Sequence, residues 1–287
     1  MKSANQRGTL RHGRWLLLVF LCLFSACQDT QVEKLLNQAN EEWVKGRNHS
    51  AVELFNSILE IAPTGIYAEE ALFRLGEINL YGMNNPTQAI NYFKEVIQEN
   101  PQGPYRYDAQ KYIAEIVETN FKDYDQAIIE YQNLIDRNQV PDDNAQNQFR
   151  IATLFIKKQN YDQALVEFEL LLENYPDSAW ADQAQYKIVE LHYTLNECEK
   201  ARESYKAFTK SRANNPFKAE MDFVMASCLE DEGQLVLAYK SFKALEGNYK
   251  YPTMVKMKLE GLEGRIKKDK QPKKVRGKKK RRSGRRS

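Results

Sequence analysis

The stretch Ala164-Leu-Val-Glu-Phe-Glu-Leu-Leu-Leu-Glu-Asn-Tyr-Pro176 carries the pattern that decides the fold of this chain. Phe168 follows Ala164 by four residues and Leu171 follows it by seven, so the three side chains share one face of a helix. Pro176 comes next, and a proline cannot continue a helix. The stretch therefore predicts one amphipathic helix that is closed by a turn.

The same pattern occurs six times. The alanines are residues 51, 89, 127, 164, 201 and 238, at intervals of 38, 38, 37, 37 and 37. Each is followed by Phe or Tyr after four residues and by a large apolar residue after seven. A proline then closes each unit, and these are Pro63, Pro101, Pro141, Pro176, Pro216 and Pro252. Self-similarity at such a period is typical of repeat architectures.

A second amphipathic segment precedes most of these alanines. Examples are 70–76, 108–114, 147–152 and 182–188. Each unit is therefore predicted to contain two helices. The small alanine lets the second helix approach the first closely, and the aromatic residue fills the space between successive hairpins. The sequence therefore predicts an all-α chain, a right-handed superhelical solenoid of about six helical hairpins over residues 27–252. A capping helix at 253–266 follows, with a frayed linker as the alternative.

The order of small residue, alanine, aromatic residue and proline resembles the tetratricopeptide repeat, and the resemblance covers about residues 32–252. The units are a few residues longer than the usual roughly 34. Longer units such as 174–186 look like those of envelope proteins, namely the BamD-like lipoprotein subunit of the β-barrel assembly machinery and the periplasmic coordinator of the Tol-Pal system. The resemblance implies a protein that holds other proteins.

The N-terminus has the parts of an export signal. Lys2, Arg7, Arg11 and Arg14 precede the ten-residue apolar run 15–24, and small residues follow. A membrane-spanning helix needs roughly 20 apolar residues. We therefore predict a signal peptide at 1–26, with an uncleaved signal anchor as the alternative.

Phe24-Ser-Ala-Cys27 resembles the lipobox of bacterial lipoproteins. The resemblance implies that Cys27 is lipidated, and that Gln28 permits sorting to the periplasmic face of the outer membrane. Several acyl chains would anchor the protein stably in the cell envelope. The alternative is an ordinary secretory signal that has a cysteine by chance.

The formal net charge of +3 hides a sorted distribution. Residues 27–266 carry −13, whereas residues 267–287 carry +12. Because the basic segment has no aromatic residue, we predict a disordered tail that attracts polyanions without specificity. Anionic lipid, lipopolysaccharide or cell-wall polymer are the partners available to an exported protein, whereas nucleic acid is the first candidate only if export is wrong. The alternative is a solubilising tail that contacts its own acidic body. The predicted polyanion residues are Lys273, Lys274, Arg276, Lys278, Lys279, Lys280, Arg281, Arg282, Arg285 and Arg286.

The sequence contains no signature of catalysis. It has no dinucleotide or phosphate loop motif, and its three histidines, His12, His49 and His192, have no partner at metal-ligand spacing. We therefore predict no enzyme, no catalytic residue, no cofactor and no metal site.

Two cysteines fall in the folded body. Antiparallel packing of consecutive helices would bring Cys198 near Cys228, which allows a disulfide, although a free cysteine is also a common small core residue.

The favoured function is an envelope scaffold that binds partner proteins or peptides through a groove, with outer-membrane protein assembly or envelope maintenance as the process implied by the resemblance. By analogy with tetratricopeptide grooves, the candidates are Phe73, Glu77, Lys111, Glu115, Phe149, Tyr186 and Glu190. The aromatic members fit packing between helices equally well. The alternatives are a polyanion- or nucleic-acid-binding protein that acts through the tail, and a cell-wall enzyme.

Overall fold

The computed structural model describes residues 29–137, 140–212 and 215–269. These residues form helices without a strand, which confirms the predicted all-α class. The helices are α1 (29–44), α2 (Asn48–Ile61), α3 (Ile66–Glu77), α4 (Pro86–Glu99), α5 (Arg106–Ile116), α6 (Tyr124–Arg137), α7 (Pro141–Lys157), α8 (Tyr161–Asn174), α9 (Ala181–Thr194), α10 (Cys198–Ser211), α11 (Lys218–Asp231), α12 (Leu235–Ala244) and α13 (Pro252–Asp269).

The helices form two compact units, unit 1 up to Asn160 and unit 2 from Tyr161. Unit 1 contains the hairpins α1–α2, α3–α4 and α5–α6, followed by α7. Unit 2 begins with α8 and contains the hairpins α9–α10 and α11–α12, followed by α13. The predicted helical hairpins are therefore present, and odd-numbered helices up to α11 are the first helices of the repeats.

The core of each hairpin follows the sequence pattern. Ala89, Phe93 and Val96 on α4 are fully buried, and the corresponding residues of α2, α6, α8 and α12 are buried as well. The aromatic ring packs against a position of the first helix that has a small residue. At Gly76 of α3, an added methyl group would lie 2.5 Å from the Phe93 ring. On α10, by contrast, Tyr205 is only half-buried, and its hydroxyl donates a hydrogen bond to the carboxylate of Asp222.

A buried carboxylate holds the turn from α4 into α5. Glu69 is fully buried, and its oxygens accept hydrogen bonds from the backbone N–H of Tyr105 at 3.0 Å and from the side chain of Asn100 at 2.9 Å. A buried carboxylate without such donors would cost several kcal/mol, of the order of 3–5. The turn and the charge therefore stabilise each other.

Each turn from a first helix to a second helix uses a left-handed residue. The residue five positions before each repeat alanine has positive φ, and these residues are Gly46, Asn84, Lys122, Gln159, Asn196 and Gly233. A single left-handed residue ends a helix and redirects the chain. This shared position explains why the hairpins repeat so regularly.

Two first helices end in a π-helical turn, at Ile78–Gly82 after α3 and at Val117–Phe121 after α5. The small residue of the first helix lies 13 residues before the alanine in these hairpins, as between Ala114 and Ala127. The corresponding step is 12 residues between Ala152 and Ala164, where α7 has no π-turn. One extra residue therefore produces both the π-turns and the 38-residue intervals.

Helix α13 closes unit 2. Its buried residues Val255, Leu259 and Leu262 pack against α12 in one core cluster with Phe242. The helix begins at Pro252 and continues to Asp269, so it extends into the segment predicted as tail. The remaining residues of that tail, 270–287, lie outside the described residues, as does the predicted signal peptide.

Candidate protein-binding face

Hydrogen bonds between side chains connect the first helices of unit 1 to one another. The hydroxyl of Tyr112 on α5 donates to Glu77 Oε1 on α3 at 3.1 Å. Lys157 Nζ on α7 donates to Glu118 Oε1, in the π-turn after α5, at 2.7 Å. One hydrogen bond thus links α3 to α5, and another links the π-turn after α5 to α7. We call the side of unit 1 that these first helices form the first-helix face of unit 1.

Two of the predicted groove residues are buried instead of lying on this face. Phe73 is 5% exposed and Phe149 is 7% exposed. The Phe73 ring lies 4.8 Å from the ring of Tyr105 and 5.7 Å from that of Phe93. Both phenylalanines therefore serve packing between helices rather than a surface groove, because burial of a large apolar ring is favourable and leaves nothing for a partner to contact.

The charged candidates of unit 1 are partly exposed. Glu77 accepts hydrogen bonds from Tyr112 and from Arg74, whose Nη1 lies 2.7 Å from Glu77 Oε2. Arg74 also lies over the ring of Trp43 on α1 at 5.6 Å. Burial raises the pKa of the Tyr112 phenol, and hydrogen bonds with Tyr81 and Glu77 act in the same direction. These contacts hold Glu77 in place.

Lys111 and Glu115 are also half-buried on α5. Within the part of the chain that the structure describes, neither side chain has a hydrogen bond or ion pair, and the two are not within 4.0 Å of each other. Glu115 is therefore a carboxylate on the first-helix face whose charge no neighbouring side chain neutralises.

In unit 2, the structure brings Tyr186 and Glu190 together on α9. The Tyr186 hydroxyl donates to Glu190 Oε1 at 2.7 Å, and Lys187 Nζ lies 2.6 Å from Oε2. The Tyr186 ring stacks on Phe217 with centroids 5.8 Å apart. Burial raises the pKa of Tyr186, and the hydrogen bond to Glu190 adds to this effect. The pair forms a fixed, half-buried cluster.

A disulfide bond joins Cys198, the first residue of α10, to Cys228 in α11, with Cα atoms 5.6 Å apart. Cys228 lies in a core cluster with Met221 and Val224. The bond connects the second helix of one hairpin to the first helix of the next. Cys27 and the ten basic tail residues predicted above lie outside the described residues.

A surface pocket of about 460 Å³ opens between the two π-turns of unit 1. It is lined by Leu80, Tyr81, Glu115, Ile116, Glu118, Thr119, Asn120, Tyr131 and Arg150. Sequence reasoning missed most of these residues. The signal was present in the 38-residue intervals, whose extra residue falls at the π-turns, but an interval alone does not reveal a cavity.

Glu118 is the buried charge at the base of this pocket. Its side chain is 4% exposed, and its Oε2 accepts a hydrogen bond from the Tyr131 hydroxyl at 2.8 Å. Lys157 satisfies Oε1, and Arg150 Nη1 lies 4.0 Å from the same oxygen. Burial raises the pKa of Tyr131, and the hydrogen bond to Glu118 raises it further. Glu118 is thus fully compensated.

The described residues contain no cluster of three His, Cys, Asp or Glu side chains that could hold a metal ion. His192, which is buried on α9, instead contacts Glu197 through Nδ1 at 3.0 Å. Within the same ranges, no helix is both long and apolar enough to cross a membrane.

Comparison with known proteins identifies two matching families. Residues 141–240 match the family YfiO, described as an outer membrane lipoprotein, and residues 70–103 match a tetratricopeptide repeat family. None of the curated proteins compared matches the sequence significantly.

Solved structures of helical-repeat proteins match most of the chain. The apo form of RapI is 13% identical, with a TM-score of 0.52, over 82% of this chain and 75% of its own. PilF of Pseudomonas aeruginosa is 14% identical with a TM-score of 0.47, covering 83% and 99% of the two chains. PilW, a type IV pilus biogenesis factor, is 13% identical with a TM-score of 0.47, covering 80% and 97%. The helical hairpins and the match of residues 70–103 show that the chain is built from tetratricopeptide-like helical hairpins, and its residues 141–240 resemble the outer membrane lipoprotein family.

Proposed function

We propose that this protein is a lipid-anchored scaffold of the cell envelope, which binds partner proteins through the first helices of its repeats. The observation that carries the proposal is the first-helix face of unit 1, where hydrogen bonds fix polar side chains of α3, α5 and α7 and a pocket of about 460 Å³ opens between the two π-turns. Side chains fixed by mutual hydrogen bonds lose little entropy when a partner binds. Such a face suits recognition better than catalysis.

The envelope location rests on two further observations. The match of residues 141–240 to an outer membrane lipoprotein family suggests the cell envelope. The lipobox-like residues before Cys27 supply the means of anchoring. We accordingly propose the periplasmic face of the outer membrane as the site of action, with outer-membrane protein assembly or envelope maintenance as the process.

The test is crosslinking in intact cells of a Gram-negative host. Partners are compared for the wild type, for Cys27→Ala and for a chain truncated after Asp269. We expect discrete envelope proteins to be captured by the wild type and the truncated chain, and to be lost with Cys27→Ala. If Cys27→Ala captures the same envelope proteins as the wild type, lipidation of Cys27 is not needed for partner binding, and the lipid-anchored part of the proposal fails.

A second candidate function is polyanion binding through the tail. Residues 270–287 contain eleven Lys or Arg residues and no Asp or Glu. Binding of this kind weakens steeply as salt is raised, because it depends on counterion release. If capture in the same experiment depends only on the tail and recovers unselected polyanions, this function replaces the scaffold.

A further inference from the structure

The pocket of unit 1 lies beside the two hairpins that each contain one extra residue. Each insertion produces a π-turn, and side chains of both π-turns line the pocket: Leu80 and Tyr81 from the first, and Glu118, Thr119 and Asn120 from the second. Such turns occur frequently at functional sites, since they aim side chains in directions that a regular helix does not allow. The pocket is therefore the natural place to look for a ligand on the first-helix face.

The charges around the pocket are not equivalent. Glu118 is neutralised by Lys157 and Arg150 and is bonded to Tyr131, as described above. Glu115 lines the same pocket from one turn earlier on α5. Arg150 also lines the pocket, but it pairs with Glu118, and among the described residues no Lys or Arg nitrogen lies within 4.0 Å of the Glu115 carboxylate. A half-buried carboxylate without a partner loses hydration and gains nothing in return. A positive charge brought by a ligand would compensate Glu115.

The pocket lining also includes an aromatic surface. Tyr81 lies in the pocket lining and is 65% exposed, with one edge against Tyr112 at a centroid distance of 6.1 Å. An exposed aromatic ring attracts Lys and Arg side chains through its π-electrons, and Arg most often. The carboxylate and the ring thus favour the same class of ligand.

The charge of unit 1 agrees with this choice. Residues 29–160 contain 20 Asp or Glu against 12 Lys or Arg, a net charge of −8. A field of this sign attracts cationic partners and raises their association rate. It disfavours an anionic ligand, although Arg150 borders the pocket.

We propose that this pocket binds an arginine or lysine side chain of a partner protein segment, between the carboxylate of Glu115 and the ring of Tyr81. The proposal rests on the proposed function and names the chemistry of the partner that the first-helix face takes. The charged group of the ligand side chain pairs with Glu115, and the aliphatic part of that side chain covers the ring of Tyr81. Buried Glu118 and the side chains bonded to it form the rigid base of the pocket. The partner segment is basic at this point.

The test uses the full chain in detergent and fluorescein-labelled peptides of twelve residues on a Gly-Ser background. One peptide carries three arginines, the second carries three citrullines, and the third carries three glutamates. Citrulline has the shape of arginine without its charge, so it isolates the charge. Fluorescence anisotropy gives the Kd, and we expect the arginine peptide to bind at least tenfold more tightly than the citrulline peptide.

Matched variants locate the binding. Glu115→Gln should weaken the arginine peptide about fivefold, and Tyr81→Ala about threefold. The control is Glu53→Gln on α2, which removes the same charge from unit 1 at an exposed position outside the pocket. We expect Glu53→Gln to stay within about twofold of wild type.

Three outcomes would overturn the proposal. Equal losses in Glu115→Gln and Glu53→Gln would mean diffuse attraction to an acidic surface. Preference for the glutamate peptide, lost in Arg150→Gln, would mean an anionic ligand. Tighter arginine-peptide binding after truncation at Asp269, in the wild type but not in Glu115→Gln, would mean that the chain's own basic tail occupies the pocket. Synthetic peptides keep this test separate from capture in cells: an envelope role can stand if peptide binding fails, and the reverse also holds.

Discussion

At the scale of single residues, the position five before each repeat alanine has an unusual requirement. It lies in the left-handed region in all six repeats, yet it is glycine only at 46 and 233. Other residues adopt this conformation at a cost of roughly 1–2 kcal/mol. The turn therefore depends on backbone geometry that the surrounding hairpin imposes.

The same substitution should have opposite effects at two glycines of unit 2. Gly233 has φ +75°, whereas Gly261 lies within α13, and an added methyl group would meet nothing within 4 Å at either site. Gly233→Ala should lower the free energy of unfolding by about 1 kcal/mol through backbone strain, and Gly261→Ala should raise it by about 0.5–1 kcal/mol through helix propensity. Urea unfolding measures both, and stabilisation by Gly233→Ala would refute the turn geometry.

Tyr131 should make stability depend on alkaline pH. Burial and the hydrogen bond to Glu118 raise the pKa of its phenol in the folded state. The unfolded chain releases this proton near pH 10, so the folded state holds more protons above that pH and stability falls as pH rises, by about 1.4 kcal/mol per pH unit. The contribution is complete below pH 10 and is lost as the pH rises towards the folded pKa.

The check is urea unfolding of wild type and Tyr131→Phe between pH 8.5 and roughly 11, the range in which tyrosine ionises. We expect the difference between the two free energies of unfolding to be constant below pH 10 and to change steadily above it, with the steeper fall in the wild type. A difference that stays constant up to the highest pH would show that Tyr131 does not titrate as described.

At the scale of the helical elements, one residue distinguishes the hairpins with π-turns from the others. The step from the first-helix small residue to the alanine is 13 residues for α5–α6 and 12 for α11–α12, between Ala226 and Ala238. The shorter step builds a hairpin without a π-turn. The extra residue is thus not needed for folding, which supports a role in shaping the pocket.

Deletion of Asn120 should convert the second π-turn into a regular turn. We expect the helical content by circular dichroism to be retained, because other hairpins of this chain have the 12-residue step. Affinity for the arginine peptide should fall about fivefold or more, because Glu118 and Thr119 would be rotated out of the pocket lining. Retained helicity with wild-type affinity would separate the π-turn from binding.

The disulfide between Cys198 and Cys228 should stabilise unit 2. It closes a loop across 30 residues of sequence, which in the chain-entropy description is worth about 3.6 kcal/mol. The double variant Cys198→Ser, Cys228→Ala should have a free energy of unfolding that is lower by about this amount, as measured by urea unfolding. A reducing agent should lower the wild type to the level of the variant, and identical unfolding of oxidised wild type and variant would contradict the bond.

At the scale of the whole molecule, the sequence predicts the repeats well and the binding surface poorly. The alanine, the aromatic residue and the proline recur because each is required by packing or by the turn, so their spacing reveals the hairpins directly. Glu77 and Glu115 could be placed on the first helices from this register alone. An aromatic residue on a first helix, such as Phe73, can face either the groove or the core, and spacing along one helix does not distinguish the two. In the structure Phe73 is buried.

The pocket itself could not be predicted from the sequence. It depends on where Tyr131 from α6 and Arg150 from α7 meet the two π-turns, and these contacts join residues far apart in the chain. The network around Glu118 is likewise tertiary, since Lys157 lies 39 residues away. The one-residue difference between the 38- and 37-residue intervals can be read from the sequence, but only the structure shows that the extra residue forms a π-turn.

The most direct test of a partner-binding first-helix face is site-specific photocrosslinking in living cells. A benzophenone amino acid is placed at position 81 in the pocket lining and, as the control, at position 129 on the second helix α6, where Ile129 is 53% exposed. We predict that position 81 captures a discrete envelope protein, identified by mass spectrometry, and that position 129 does not. Capture of the same proteins with equal yield from both positions would contradict the account.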